Sequence, residues 1–300
     1  MSPARRAWII GCAIAAAAAI LFATKGVLIK LALQAGADPT ALLAVRMGLS
    51  LPCFAIAAWW YGRGASPISQ REQIAIVIFG LVGFHLASWL DVQGLRFIGV
   101  GLERVVLYIY PPLVVVMAWA LGGGRPGPVL VAACLITWVG IGVSCLDQPL
   151  QGEHHALGVA LVAGSAVAYT IHLIGIEPLM RRHGGERIAA LGFCAAGLGV
   201  LLHASCVVPP GLWRSQPAAL WPLGALLALV GTVVPGLLAG AAIRRIGAGP
   251  AAVIGTLGPG VTVLLAWAAL GERPGLLAWG GFALTVAGGL MVGLARTRPA

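Results

Sequence analysis

Apolar residues fill most of this chain in long blocks, and short clusters of Gly, Pro and charged residues separate them. A helix that crosses a bilayer needs about 20 mostly apolar residues. Ten blocks meet that length and are predicted as helices: 8–33, 40–61, 73–92, 103–122, 127–146, 156–178, 187–208, 220–242, 249–270 and 275–294. The gaps between them are short, so no separate soluble domain is expected. The first block follows Arg5-Arg6 and has the look of a secretory signal. It is read instead as a retained helix, because Lys25 and Lys30 continue it and it pairs with the sixth block in an internal repeat.

That repeat has a constant offset of 148 residues. GLRFIGVGLERVVLYIYPPLVVVMAWALGGGRPG (Gly94 to Gly127) falls without a gap on AIRRIGAGPAAVIGTLGPGVTVLLAWAALGERPG (Ala242 to Gly275). Arg96, Gly99, Pro111, Trp119 and Arg125-Pro126-Gly127 meet Arg244, Gly247, Pro259, Trp267 and Arg273-Pro274-Gly275. Leu81-Val82-Gly83 meets Leu229-Val230-Gly231. The chain therefore divides into two copies of one unit, 1–147 and 148–300. Five helices per copy is an odd number, so the second copy is expected to enter the membrane with opposite polarity. Inverted repeats of this kind recur among secondary transporters, with the substrate site near the midplane between them.

Composition agrees. The chain is 60% hydrophobic and 9% charged, whereas a soluble protein carries about 25% charged residues. So little charge cannot cover a water-facing surface, and the surface must face lipid. The net charge of +10 would fit a nucleic-acid partner, but the distribution of the basic residues reads as membrane topology. With the N-terminus in the cytoplasm, twelve arginines fall on the inner side and four on the outer. Both termini are then cytoplasmic, and no nucleic-acid partner is expected. The six cysteines show no CxxC spacing and read as small packing residues. No GxSxG, HExxH, P-loop or dinucleotide fingerprint occurs, so neither an enzyme nor a cofactor is expected. Glu153-His154-His155 reads as a solvated loop cluster rather than a metal site.

A proline inside a helix frees a carbonyl about one turn earlier, and in lipid that carbonyl must be buried or line a polar cavity. Pro111-Pro112 and Gly258-Pro259-Gly260 stand at matching places in the two copies, which favours a kink at a substrate path over a kink that only packs. Ionisable residues inside membrane helices are costly and point to function. Lys25 and Arg46 are the better candidates, whereas Lys30, near a helix end, is expected to snorkel. His85 shares a helix face with Trp89, and His172 with Tyr169 and Ser165. For each histidine a satisfied interior group is as good a reading as a ligand contact. Asp91, Glu103 and Arg104 bracket the turn between helices 3 and 4. Pairs of Asp91 or Glu103 with Lys25 or Arg46 would form an outer gate, and headgroup-facing charges are the equal alternative. No acid is placed at mid-membrane, so a proton relay, if there is one, falls to His85 and His172. Trp89, Tyr108, Tyr110, Tyr169 and Trp267 could form an aromatic lining.

These residues resemble the drug/metabolite transporter superfamily, in particular its EamA-domain members, over nearly the whole chain. FATKGVLIKLALQAGADPTALLAVR (Phe22 to Arg46) is similar to the family's first two helices. SWLDVQGLRFIGVGLERVVLYIYPPLVVV (Ser88 to Val116) resembles the S-Y-L-D-F…ER…L-Y-P segment of one bacterial subgroup, with Trp89 where Tyr is common. IGTLGPGVTVLLAWAALGERPG (Ile254 to Gly275) resembles the ending of the repeat, where the first copy has Gly123-Gly124 in place of the usual Glu. The resemblance implies an all-α protein of ten helices in two inverted five-helix repeats around a central cavity, in a bacterial inner membrane. The expected function is transport of small organic metabolites, amino acids or related amphiphiles among them, by alternating access and in the export direction. A flippase for lipids or lipid-linked substrates is the alternative. The expected partners are a small-molecule substrate and the bilayer.

Overall fold

Short polar motifs start the helices. Asp38 caps the second one, its Oδ1 accepting from Thr40 N and Ala41 N at 2.9 Å each, with Pro39 in the first turn. Ser69 and Glu72 form a reciprocal capping box at the start of the third. Gly36 and Gly184 end the preceding helices with φ near +90°, where a side chain would be strained. In the computed structural model, all regular elements among the described residues are helical; these are 3–122, 125–147, 154–246, 251, 254–255 and 257–296. The expected roles of Gly123-Gly124, Glu153 and Arg298 lie outside them.

The elements are α1 (Pro3–Gln34), α2 (Pro39–Gly62), α3 (Gln70–Gly80, Leu81–Leu86, Ala87–Gly94), α4 (Val100–Leu107), α5 (Tyr110–Ala120) and α6 (Pro128–Asp147). Then come α7 (His155–His183), α8 (Gly185–Val207), the short α9 (Pro210–Arg214), α10 (Leu220–Ala228, Leu229–Val233, Val234–Ile246), α11 (Leu257–Leu270) and α12 (Leu276–Arg296). Among the described residues, seven helical spans, with α4 and α5 forming one of them, are long and apolar enough to cross a membrane, and three more apolar helices are shorter. The predicted blocks coincide with these elements to within about five residues, with two exceptions: the start of the ninth block, 249–270, lies partly outside the described residues, α11 beginning at Leu257, and the fourth block is broken at Tyr108–Ile109, just before Tyr110-Pro111-Pro112. Proline cannot donate to the turn before it, so the helix restarts.

The central segments of α3 and α10, Leu81–Leu86 and Leu229–Val233, are both π-helical. They fall on the matching Leu-Val-Gly triplets of the repeat. A π-turn disrupts the regular hydrogen-bond ladder of the helix, and side chains reach the carbonyls next to it. His172 Nδ1 bonds to Phe79 O at 2.8 Å, and Thr232 Oγ1 donates to Leu227 O at 3.0 Å. Phe79 and Leu227 are equivalent under the 148-residue offset.

Packing interlocks the two copies. α1 lies against α10 and α11, and α7 against α3, α4 and α5. Each copy's first helix thus leaves its own copy for the third and fourth helices of the other, giving two packing groups that cut across the sequence repeats. Glycines permit the closest approaches: a Cβ at Gly83 would collide with the His172 ring, and one at Gly231 would touch Leu227 and Lys25. α2 packs along α8, and α6 along α12. Large apolar side chains such as Ile56, Leu202 and Leu276 are 64%, 67% and 91% exposed, as expected for a lipid-facing surface. Trp59 and Trp60, with the Arg63 guanidinium 4.2 Å over Trp59, have the chemistry of an interfacial belt.

Candidate functional site

The two packing groups meet at a buried cluster of charge. Lys25, from α1, holds Asp91, from α3, in a 2.7 Å ion pair. Asp91 is 1% exposed and Glu103, on α4 beside it, 0%. Arg104 Nε stands 3.8 Å from Glu103 Oε2. Gly26, next to Lys25, leaves room for this corner, since a Cβ there would come within 3.2 Å of Glu103 Oε2. Arg46, 5% exposed, enters from α2, and its Nε donates to Thr232 Oγ1 at 2.8 Å. Three cations and two carboxylates are thus gathered from both groups and from α2.

The cluster is not closed on itself. Among the described residues, Arg46 Nη1 and Arg104 Nη2 find no hydrogen-bond acceptor, while the Asp91 and Glu103 carboxyls face each other closely enough to share a hydrogen bond. Buried polar groups are normally paired, because each one left unpaired costs about 1–3 kcal/mol. Here the groups left over are guanidinium donors of Arg46 and Arg104, beside a carboxyl pair. Thr232 supports the one bond that Arg46 does make, while its own hydroxyl proton goes to Leu227 O. Thr232→Val keeps the shape and removes both bonds; it is expected to cost about 1–3 kcal/mol, read as a lower melting temperature in detergent.

Beside the charges runs a track of rings. Tyr108 contacts Tyr110 (centroids 6.0 Å apart), Tyr110 contacts Tyr169 (5.3 Å), and Tyr169 stacks near His172 (5.9 Å). The line continues through Phe84 (4.4 Å from His172) to Phe193 (3.8 Å) and Phe54 (4.2 Å). The break at Tyr108–Ile109 turns Tyr108 and Tyr110 into this track.

Of the residues singled out from the sequence, Lys25, Arg46, Asp91, Glu103 and Arg104 come together in the charged cluster. Tyr108, Tyr110, Tyr169 and His172 share the aromatic track, with Pro111 at the break that shapes it. His85 and Trp89 stand apart. His85 Nε2 bonds to His203 Nδ1 at 3.0 Å, and Trp89 lies 5.8 Å from the His203 ring, so both belong to the contact between α3 and α8. Pro259 is buried in the first turn of α11. Trp267 faces outward, 56% exposed, and does not line the interior. Lys30 does not snorkel: its Nζ donates to Leu95 O (2.7 Å) and Ile98 O (2.8 Å). Sequence reasoning missed Phe54, Phe84, Phe193, His203 and Thr232. Thr232 alone left a signal, as a polar residue within the repeated Leu-Val-Gly segment.

The family model for the EamA-like transporter family matches residues 9–146 and again 156–294. The uncharacterized transporter YcbK of Bacillus subtilis is 29% identical over 264 residues, 86% of this chain and 84% of its own length. An uncharacterized transporter of Synechocystis sp. is 26% identical over 250 residues, 77% of this chain and 72% of its own. A protein of known crystal structure superposes with a TM-score of 0.63 at 21% identity, covering 95% of this chain and 97% of that one, which shows a shared fold.

Proposed function

This chain belongs to the EamA-like transporter family, and from that premise we propose that it carries small amphiphilic organic solutes, α-amino acids and their relatives, by alternating access. Membrane transport of small solutes follows from the family. The substrate class follows from the cluster at Lys25, Arg46, Asp91, Glu103 and Arg104, and this single observation carries the reading. A zwitterionic head group offers a carboxylate to the guanidinium nitrogens of Arg46 and Arg104 that lack an acceptor, and an ammonium to the Asp91–Glu103 carboxyl pair. An apolar or aromatic body then fits the ring track from Tyr108 to Phe54.

In this reading the full set of helices makes ten crossings in two inverted repeats, with both termini in the cytoplasm of a bacterial inner membrane. The units that rock are the packing groups, α1 with α10 and α11 against α7 with α3, α4 and α5, because the charged cluster lies between them. Export is the proposed direction. His85, hydrogen-bonded to His203, stays a proton-carrying candidate in this reading beside His172 and the buried carboxylates.

The test is uptake of labelled amino acids and related solutes into proteoliposomes, with and without a pH gradient. Arg46→Ala is expected to lower uptake at least tenfold while the protein stays monodisperse, since it removes a charge-assisted contact worth about 1.5–3 kcal/mol. Equal uptake by wild type and Arg46→Ala would sink the proposed site. A second reading, lipid movement, draws on an apolar cleft between α2 and α8 lined by Ala44, Gly48, Leu201, Trp213 and Trp221. Scrambling of labelled lipid, with no solute uptake, would favour it.

A further inference from the structure

One turn is held from two sides. Residues 95–99 join α3 to α4 in one packing group, and the side chains that grip them come from the other. The carbonyls that finish α3 face Lys30 of α1, whose Nζ takes Leu95 O at 2.7 Å and Ile98 O at 2.8 Å. The amides that start α4 face Glu272, just beyond α11. Val100 N–H donates to its Oε1 at 2.8 Å, and Gly101 N–H to its Oε2 at 3.0 Å. Helix ends leave such groups without partners and carry partial charge: negative at the carbonyl end, positive at the amide end. A cation on the first and an anion on the second is the matched arrangement. Gly99 lets the carboxylate in, since a Cβ there would stand 3.0–3.1 Å from Glu272 oxygens and its carboxyl carbon.

We propose that Lys30 and Glu272 are the two jaws of a latch that shuts this end of the transporter and must release for it to open. The proposal rests on the alternating-access reading and adds to it the gating residues. The charged site is close by, since Glu103 and Arg104 lie on the same helix whose first turn Glu272 holds. Releasing the latch therefore frees the site's own walls.

The repeat makes the latch one-sided. Under the 148-residue offset, Pro178 stands in place of Lys30 and Gly124 in place of Glu272. Neither can cap a helix end with charge. The opposite end cannot close by the same chemistry, so the two end states are unequal in free energy. The state shut at the Glu272 end is the resting one.

Electron spin–spin distance measurement tests this, with labelled cysteines in a background whose six native cysteines are replaced. One pair, at Arg96 and Arg273, spans the latched end; both positions are exposed. A second pair, at Leu121 and Arg245, reports the other end. Glu272→Gln and Lys30→Met are each expected to add a longer-distance population at the first pair, the open fraction rising about tenfold. The second pair is expected to shorten in step. Unchanged distances at the first pair in both variants would overturn the latch. So would a longer first pair with an unmoved second, because that is local loosening without gating. Unlabelled variants would run in the uptake assay. A latch that releases in a protein carrying no solute would retire the transport reading alone, and fixed distances in a protein that transports would retire the latch alone.

Discussion

Asp91→Asn is expected to abolish transport and to destabilise the fold by about 3–5 kcal/mol, the cost of leaving one partner of a buried ion pair without the other. The pair is Lys25 Nζ to Asp91 Oδ2 at 2.7 Å, with side-chain exposures of 16% and 1%. Asparagine keeps the size of the side chain but leaves the ammonium, Arg46 and Arg104 with Glu103 as the one carboxyl of the cluster. Lys25→Met alone is expected to be damaging too, since it strands a carboxylate. The double variant removes both charges and should recover much of the lost melting temperature without recovering uptake. That separation identifies the pair as a functional group retained at some cost to stability. An Asp91→Asn protein that melts with the wild type would mean that Lys25 finds water or another partner, and the pair would lose its place at the core of the site.

Gly140→Val is expected to prevent α6 and α12 from pairing, with little folded protein recovered from membranes. A Cβ on Gly140 would stand 2.6 Å from Gly281 O and from Thr285 N. Those are backbone atoms, so no side chain can swing away and the helix axes must separate. A Cβ on Gly281 or Gly288 meets the same obstacle, at Gly140 O (2.5 Å) and at Ala133 O and Thr137 N (2.7 Å each). Lipid-embedded helices associate through packing rather than through the hydrophobic effect, which places small residues at their closest contacts. Overpacking a tight contact costs about 1–3 kcal/mol even where side chains can yield, and here the cost should be larger. Recovery of monodisperse protein from detergent, compared with Gly142→Val, checks it, because nothing lies within 4 Å of a Cβ at Gly142. Equal recovery of both variants would show that α6 and α12 can pair at a wider spacing.

The site was only half legible in advance. Lys25, Arg46, Asp91 and Glu103 were recognisable because ionisable residues within or beside apolar helices are rare and costly. Their mutual pairing was a guess among several, since Asp91 could have met Arg46 as easily as Lys25. Lys30 misled for a related reason: a lysine near a helix end ordinarily reaches for the membrane surface, and only the turn at 95–98 offered it carbonyls instead. Glu272 was passed over because its partners are backbone amides, which every sequence has and no sequence marks. His85 looked like a lone interior histidine, and His203, 118 residues away in the chain, gave no hint that the two would meet.

Periodicity and composition determined the helices, the lipid-facing surface and the duplication, because each depends on local residue order: apolar runs of a given length, few charges, a fixed offset. Even the break before Tyr110-Pro111-Pro112 is local, a consequence of a missing N–H. The tertiary structure decided what no local order encodes. It exchanged the first helices between the copies, joined the first π-turn to His172 and the second, through Thr232, to Arg46, and gathered five charges from α1, α2, α3 and α4 into one buried cluster. These depend on which helix faces meet. That is set by close glycine approaches and by pairing polar groups across distances of tens to hundreds of residues in the chain, a choice made only when all the helices pack at once.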